Sequence, residues 1–152
     1  MDKSLRSALN LLNQNGIKYF IMTPLEALKL ERDFINAFII PQKKERLLMN
    51  ASKGPKRKKD LDYYKFFNSS RNWDLLDDLQ ISAFEWVSFN GKSLCYLLWS
   101  SPSLNVIDLS VTHLQDIELS FFSDAYFFDH NFSRTIVNTR DNDIFLAEGG
   151  KW

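Results

Sequence analysis

The chain has 152 residues, 45% of them hydrophobic and 25% charged, and 22 are Phe, Tyr or Trp, which excludes intrinsic disorder as its main state. That length suits one domain, able to bury roughly 70% of its unfolded surface without disulfides or metals. Net charge is zero, but residues 1–73 carry 15 basic and 7 acidic side chains and residues 74–152 carry 4 and 12, a split of +8 against −8. Either the halves complement each other within one fold, or they present charged surfaces to partners.

In chain order, Lys3 to Asn15 predicts a helix, with Leu5, Ala8, Leu11 and Leu12 at helical spacing and Gly16 where a C-terminal cap belongs. Ile17 to Met22 is a short strand-like run. Thr23-Pro24-Leu25-Glu26 has the form of a capping box with proline at the first helical position. It starts a helix from Pro24 to about Phe38 that turns Ala27, Leu30, Phe34 and Ala37/Phe38 inward, and Pro41 ends it. Gln42 to Asn50 predicts a further short helix. Pro55 to Phe67 predicts another, with Leu61, Tyr64 and Phe67 inward and four cations, Lys56 to Lys59, at its start. Cations there oppose the helix dipole, so stability alone does not choose them.

From Ile81 the period changes to two. Asn90-Gly91 between Ile81–Phe89 and Lys92–Ser100 predicts a hairpin, because both turn positions favour positive φ. Leu104 to Ile107 predicts a short strand, and Asp108 caps a helix from Leu109 to about Glu118. Three runs follow, Ala125–Phe128, Phe132–Asn138 and Asp143–Ala147, separated by Asp129-His130-Asn131 and Thr139–Asn142. They predict an antiparallel meander. The fold class is therefore α+β, with N-terminal helices packed on a mostly antiparallel sheet. The change near residue 73 is one of element type, so the expectation is a single domain over residues 1–152.

Chemistry-bearing patterns are sparse. His113, His130 and Cys95 have no zinc-type spacing, and Asp141-Asn142-Asp143 lacks the glycine and distal glutamate of a calcium loop. Cys95 lies mid-strand, where a thiol behaves as a small hydrophobe. His113 and Asp116 would neighbour each other on a helix, which suits a hydrogen bond as well as base catalysis. Neither a nucleophile elbow nor a phosphate-binding glycine loop occurs. The expectation is a protein with no catalytic residue, no metal and no cofactor. One lone cysteine fits a reducing compartment, Met1 to Asn13 lacks a signal peptide's apolar run, and no stretch of 18 apolar residues occurs. These features predict the cytoplasm and no membrane contact.

Two charge features remain. The basic one comprises Lys43, Lys44, Arg46, Lys53, Lys56, Arg57, Lys58, Lys59 and Lys65, beside Tyr63, Tyr64, Phe66 and Phe67. Lys53, Lys56, Arg57, Lys58 and Lys59 would neutralise phosphates in an RNA- or DNA-binding protein. The acidic one supplies Asp77, Asp78, Asp124, Asp129, Asp141, Asp143 and Glu148 as candidates for an exposed face that docks a basic protein partner. A third reading pairs opposite faces of two copies head to tail.

The segment Asp124 to Gly149 (an aromatic-rich strand, the turn Asp129-His130-Asn131-Phe132, a second strand, then a carboxylate-bearing turn) resembles the closing meander of small bacterial immunity proteins. Those proteins belong to polymorphic-toxin and contact-dependent growth inhibition systems. The resemblance implies a cytoplasmic toxin inhibitor that binds a cognate toxin domain, often a nuclease, and blocks it by protein–protein interaction. It assigns no individual residue; the acidic candidates rest on charge and predicted exposure.

Overall fold

A computed structural model describes residues 3–14, 16, 19–53, 62–68, 71–72, 94–99, 105–110, 125–129, 131–139 and 144–149. Helix α1 spans Lys3–Gln14 and buries Leu9 and Leu12. It ends as the sequence predicts. Gly16 takes a left-handed φ of 68°, and its N–H donates to Asn13 O at 3.1 Å. Strand β1, Tyr19–Ile21, follows.

Helix α2, Pro24–Phe38, opens on the predicted capping box. The Glu26 N–H donates to Thr23 Oγ1 and the Thr23 N–H donates to Glu26 Oε1, both at 3.2 Å. Its inward face is Ala27, Glu31, Phe34, Ile35 and Phe38. Pro41 both excludes further α2 and begins α3, Pro41–Ser52, where its missing N–H costs nothing.

The link between α2 and α3 is pinned rather than loose. Ile39 forms an antiparallel bridge with Phe67, the Ile40 N–H donates to Phe66 O, and the Asn68 N–H donates to Phe38 O, each bond 2.9 Å. This explains a correction. The predicted α-helix does not run through to Phe67: Tyr63–Phe66 is one 3₁₀ turn and Phe67 is extended, because its main chain answers Ile39. Tyr63 and Phe67 are the buried residues there, with Tyr64 half-buried. Leu61 and the rest of that predicted helix lie outside the described residues.

The remaining strands among the described residues are β2 (Arg71–Asn72), β3 (Leu94–Trp99), β4 (Asn105–Ser110), β5 (Ala125–Asp129), β6 (Arg134–Asn138) and β7 (Ile144–Glu148). All pair antiparallel in one sheet, seven-stranded among the described residues, of order β1-β4-β3-β5-β6-β7-β2. The α+β class and the closing meander hold. Two expectations change. Both edges of Cys95–Trp99 are filled, by β4 and β5, so no edge of those residues is left for the 81–89 run. Asn90-Gly91 itself lies outside the described residues. Asp108 caps no helix: it sits inside β4, opposite Phe20 and Tyr96, and the strand continues through Leu109 and Ser110.

Alternation along β5 sends Tyr126 and Phe128 to one face and Phe127 to the other. Phe34 of α2 lies on the first face, with ring centroids 5.5 Å from Tyr126 and 5.1 Å from Phe128. Phe38, Tyr63 and Phe67 surround it at 4.9, 5.8 and 6.2 Å. Edge-on and tilted pairs like these add about 0.5–1.5 kcal/mol each beyond area burial. Phe127, Ile136 and Leu146, in register across β5, β6 and β7, are fully buried as well, so the sheet is covered on both faces there.

Candidate functional site

The acidic candidates separate on inspection. Asp129, expected on an exposed docking face, is only 1% exposed and faces inward. It closes the β5–β6 hairpin. Its Oδ1 accepts from the Ser133 N–H at 2.8 Å and the Arg134 N–H at 3.0 Å, while Oδ2 accepts from Ser133 Oγ. Three donors on one carboxylate satisfy a charge that would otherwise be costly to bury. The reason for the correction is local: the turn needs acceptors for amides that no strand partner reaches, and aspartate supplies them.

The same turn holds Phe132 at φ 56°, a conformation that costs an L-residue about 1–2 kcal/mol. Its ring stacks on Phe128 at 5.5 Å, and its N–H donates to Asp129 O at 3.0 Å. Glu148, at the end of β7 and opposite Arg134, is exposed as expected. Asp77, Asp78, Asp124, Asp141 and Asp143 lie outside the described residues.

Of the basic candidates, Lys53 is exposed at the C-terminal end of α3, and Lys56, Arg57, Lys58 and Lys59 lie outside the described residues. The described part of the basic segment gathers around two rings. Lys43 Nζ lies 5.5 Å and the Arg46 guanidinium 5.9 Å from the Phe66 centroid. Lys65 Nζ lies 5.9 Å from the Tyr64 centroid and pairs with Asp62 at 3.1 Å. Both partners of that pair are about half exposed, so it contributes little to stability. The rings are fixed by the core: Tyr64 stacks on Phe145 at 5.4 Å, and its N–H donates to Tyr126 Oη at 3.3 Å. Tyr63 and Phe67 are core residues with no face to offer a ligand.

Two features carried no sequence signal. Glu31, fully buried in α2, accepts from Tyr63 Oη at 2.9 Å. A glutamate on a helix reads as solvated, and this partner stands 32 residues later in the chain. The second is apolar: Phe20 and Ile21 on β1 and Leu25 at the start of α2 are exposed.

Among the described residues no three His, Cys, Asp or Glu side chains gather to hold a metal ion, and no helix is long and apolar enough to cross a membrane. Comparison with protein-family models, curated proteins and solved structures finds no match for this chain.

Proposed function

We propose that this chain is a cytoplasmic immunity protein, one that neutralises a cognate toxin domain by binding it and performs no catalysis. The toxin class we expect is a nuclease, whose phosphate-attracting site offers a basic surface to acidic residues. The observation that carries the reading is the closing segment, in which β5, β6 and β7 form an antiparallel meander over the residues that resemble immunity proteins. The docking residues we assign are Asp124, Asp141, Asp143 and Glu148, with Asp77 and Asp78. Asp129 leaves the set because its carboxylate is spent inside the hairpin.

Co-expression with a candidate nuclease toxin tests this. Growth should be restored by the wild-type chain. Joint reversal of Asp124, Asp141, Asp143 and Glu148 to lysine should slow association at least tenfold, because steering depends on complementary charge. Unchanged association kinetics in a folded variant would remove the acidic face.

A second reading has its own observation. Lys43, Arg46 and Lys65 gather over Phe66 and Tyr64, with Lys53 exposed at the end of the helix that carries Lys43 and Arg46. This favours an RNA- or DNA-binding surface. Affinity for single-stranded RNA should then fall steeply with salt. No retention on immobilised RNA at low salt would eliminate it.

A further inference from the structure

We propose that the chain forms a two-fold dimer by pairing the outer edge of β1 with the same edge of a second copy. This inference is independent of the function proposed above.

Strand β1 stands at one end of the sheet, with β4 on one side and no described strand on the other. Its backbone donors and acceptors on that side form a template for a further strand. Edge strands are ordinarily guarded by charged side chains, proline or a bulge. Tyr19-Phe20-Ile21 has none of these, its three-residue length being its one guard, and all three residue types favour strands. Phe20 is 70% exposed, Ile21 43%, and the adjoining Leu25 81%.

The occupant follows from the order of the three residues. An antiparallel pair related by a two-fold axis through Phe20 sets Phe20 opposite Phe20 of the second copy and Tyr19 opposite its Ile21, twice. Aromatic–aromatic and aromatic–β-branched pairs are the favourable cross-strand combinations. The segment is thus complementary to itself. Zero net charge removes long-range repulsion between copies.

Area sets the strength. The three exposed side chains offer on the order of 300 Å² per copy, about 600 Å² for the pair, against roughly 1,200–2,000 Å² in a standard stable interface. Main-chain hydrogen bonds across the edge add to this, but the total supports only a weak dimer, with Kd in the micromolar range.

Sedimentation equilibrium across two decades of micromolar concentration tests the proposal. The wild-type chain should pass from monomer to dimer. Phe20→Lys should stay monomeric, since it sets like charges directly opposite each other, and Phe20→Glu should do the same. Because Phe20 is mostly solvent-exposed, both variants should keep the wild-type far-ultraviolet circular dichroism. An equimolar mixture of the two should sediment as a heavier species than either alone, because lysine then faces glutamate. A wild-type chain that remains monomeric overturns the proposal and leaves the β1 edge to a strand of a different protein. A Phe20→Lys variant that dimerises like wild type also overturns it. A mixture no heavier than its components overturns the register through Phe20.

Discussion

Replacing Asp129 with alanine separates an anchor of the hairpin from a docking residue. The side chain accepts from two backbone amides and one hydroxyl, at a position 1% exposed. Alanine leaves the Ser133 and Arg134 N–H groups without their acceptor, each costing about 1–3 kcal/mol where water cannot enter. Ser133 and Arg134 are themselves partly exposed, so water recovers some of this, and the net loss should be about 2–4 kcal/mol. For a chain of this length, that lowers Tm by about 6–12 °C. Asp129→Asn should cost less, about 1 kcal/mol, because the amide oxygen of the new side chain still serves both backbone amides. The Ser133 hydroxyl can turn to accept from the amide nitrogen. Urea unfolding of wild type, Asp129→Asn and Asp129→Ala should rank them in that order with an unchanged m-value. If Asp129→Ala lies within about 0.5 kcal/mol of wild type, the carboxylate behaves as a surface group and the hairpin reasoning fails.

Three further substitutions probe other contacts. Gly149→Ala brings a methyl to 2.5 Å from Phe132 O, 2.9 Å from Phe38 Cε1 and 3.1 Å from Ala37 O. Two of those neighbours are backbone, so chemical denaturation should show a loss of about 2–3 kcal/mol. Tyr63→Phe removes a hydroxyl donor from the buried Glu31 carboxylate and should cost about 1–3 kcal/mol, read from the urea midpoint. Thr23→Ala removes the α2 cap and should cost about 1 kcal/mol in thermal unfolding, whereas Thr23→Ser should be nearly silent.

What the sequence made legible is what is settled within a few residues. Thr23 and Glu26 cap α2 because both donors and both acceptors lie within one turn. Gly16 ends α1 for an equally local reason. The three closing runs alternate as strands whatever they pair with. Pairing is different in kind. Asn90-Gly91 nominates a partner for residues 92–100 by turn geometry alone, but β3 is taken on both sides by strands from later in the chain. Asp108 has the chemistry of a helix cap, but its place in β4, paired with Phe20 on one side and Tyr96 on the other, overrides it. The candidate site was less legible still. Glu148 and Lys53 are exposed as their charge suggests, whereas Glu31 and Asp129 are buried, because partners distant in sequence or a tight turn satisfy their carboxylates.

Those partners also decide how the charge split along the chain is to be understood. If residues 1–73 and 74–152 were separate bodies, +8 and −8 would describe two opposed surfaces. They share one sheet instead. Strand β1 from the basic half pairs with β4, and β2 pairs with β7, so the basic half supplies both ends of a sheet whose middle is acidic-half sequence. Helix α2 of the basic half packs Phe34 onto Tyr126 and Phe128 of the acidic half. The sum over either half therefore overstates the charge of any face, and Asp129 is a carboxylate counted in the sum but spent inside. Surface charge in this chain has to be assigned residue by residue, which is why reversal of Asp124, Asp141, Asp143 and Glu148, with Asp129 left in place, is the informative variant for a basic partner.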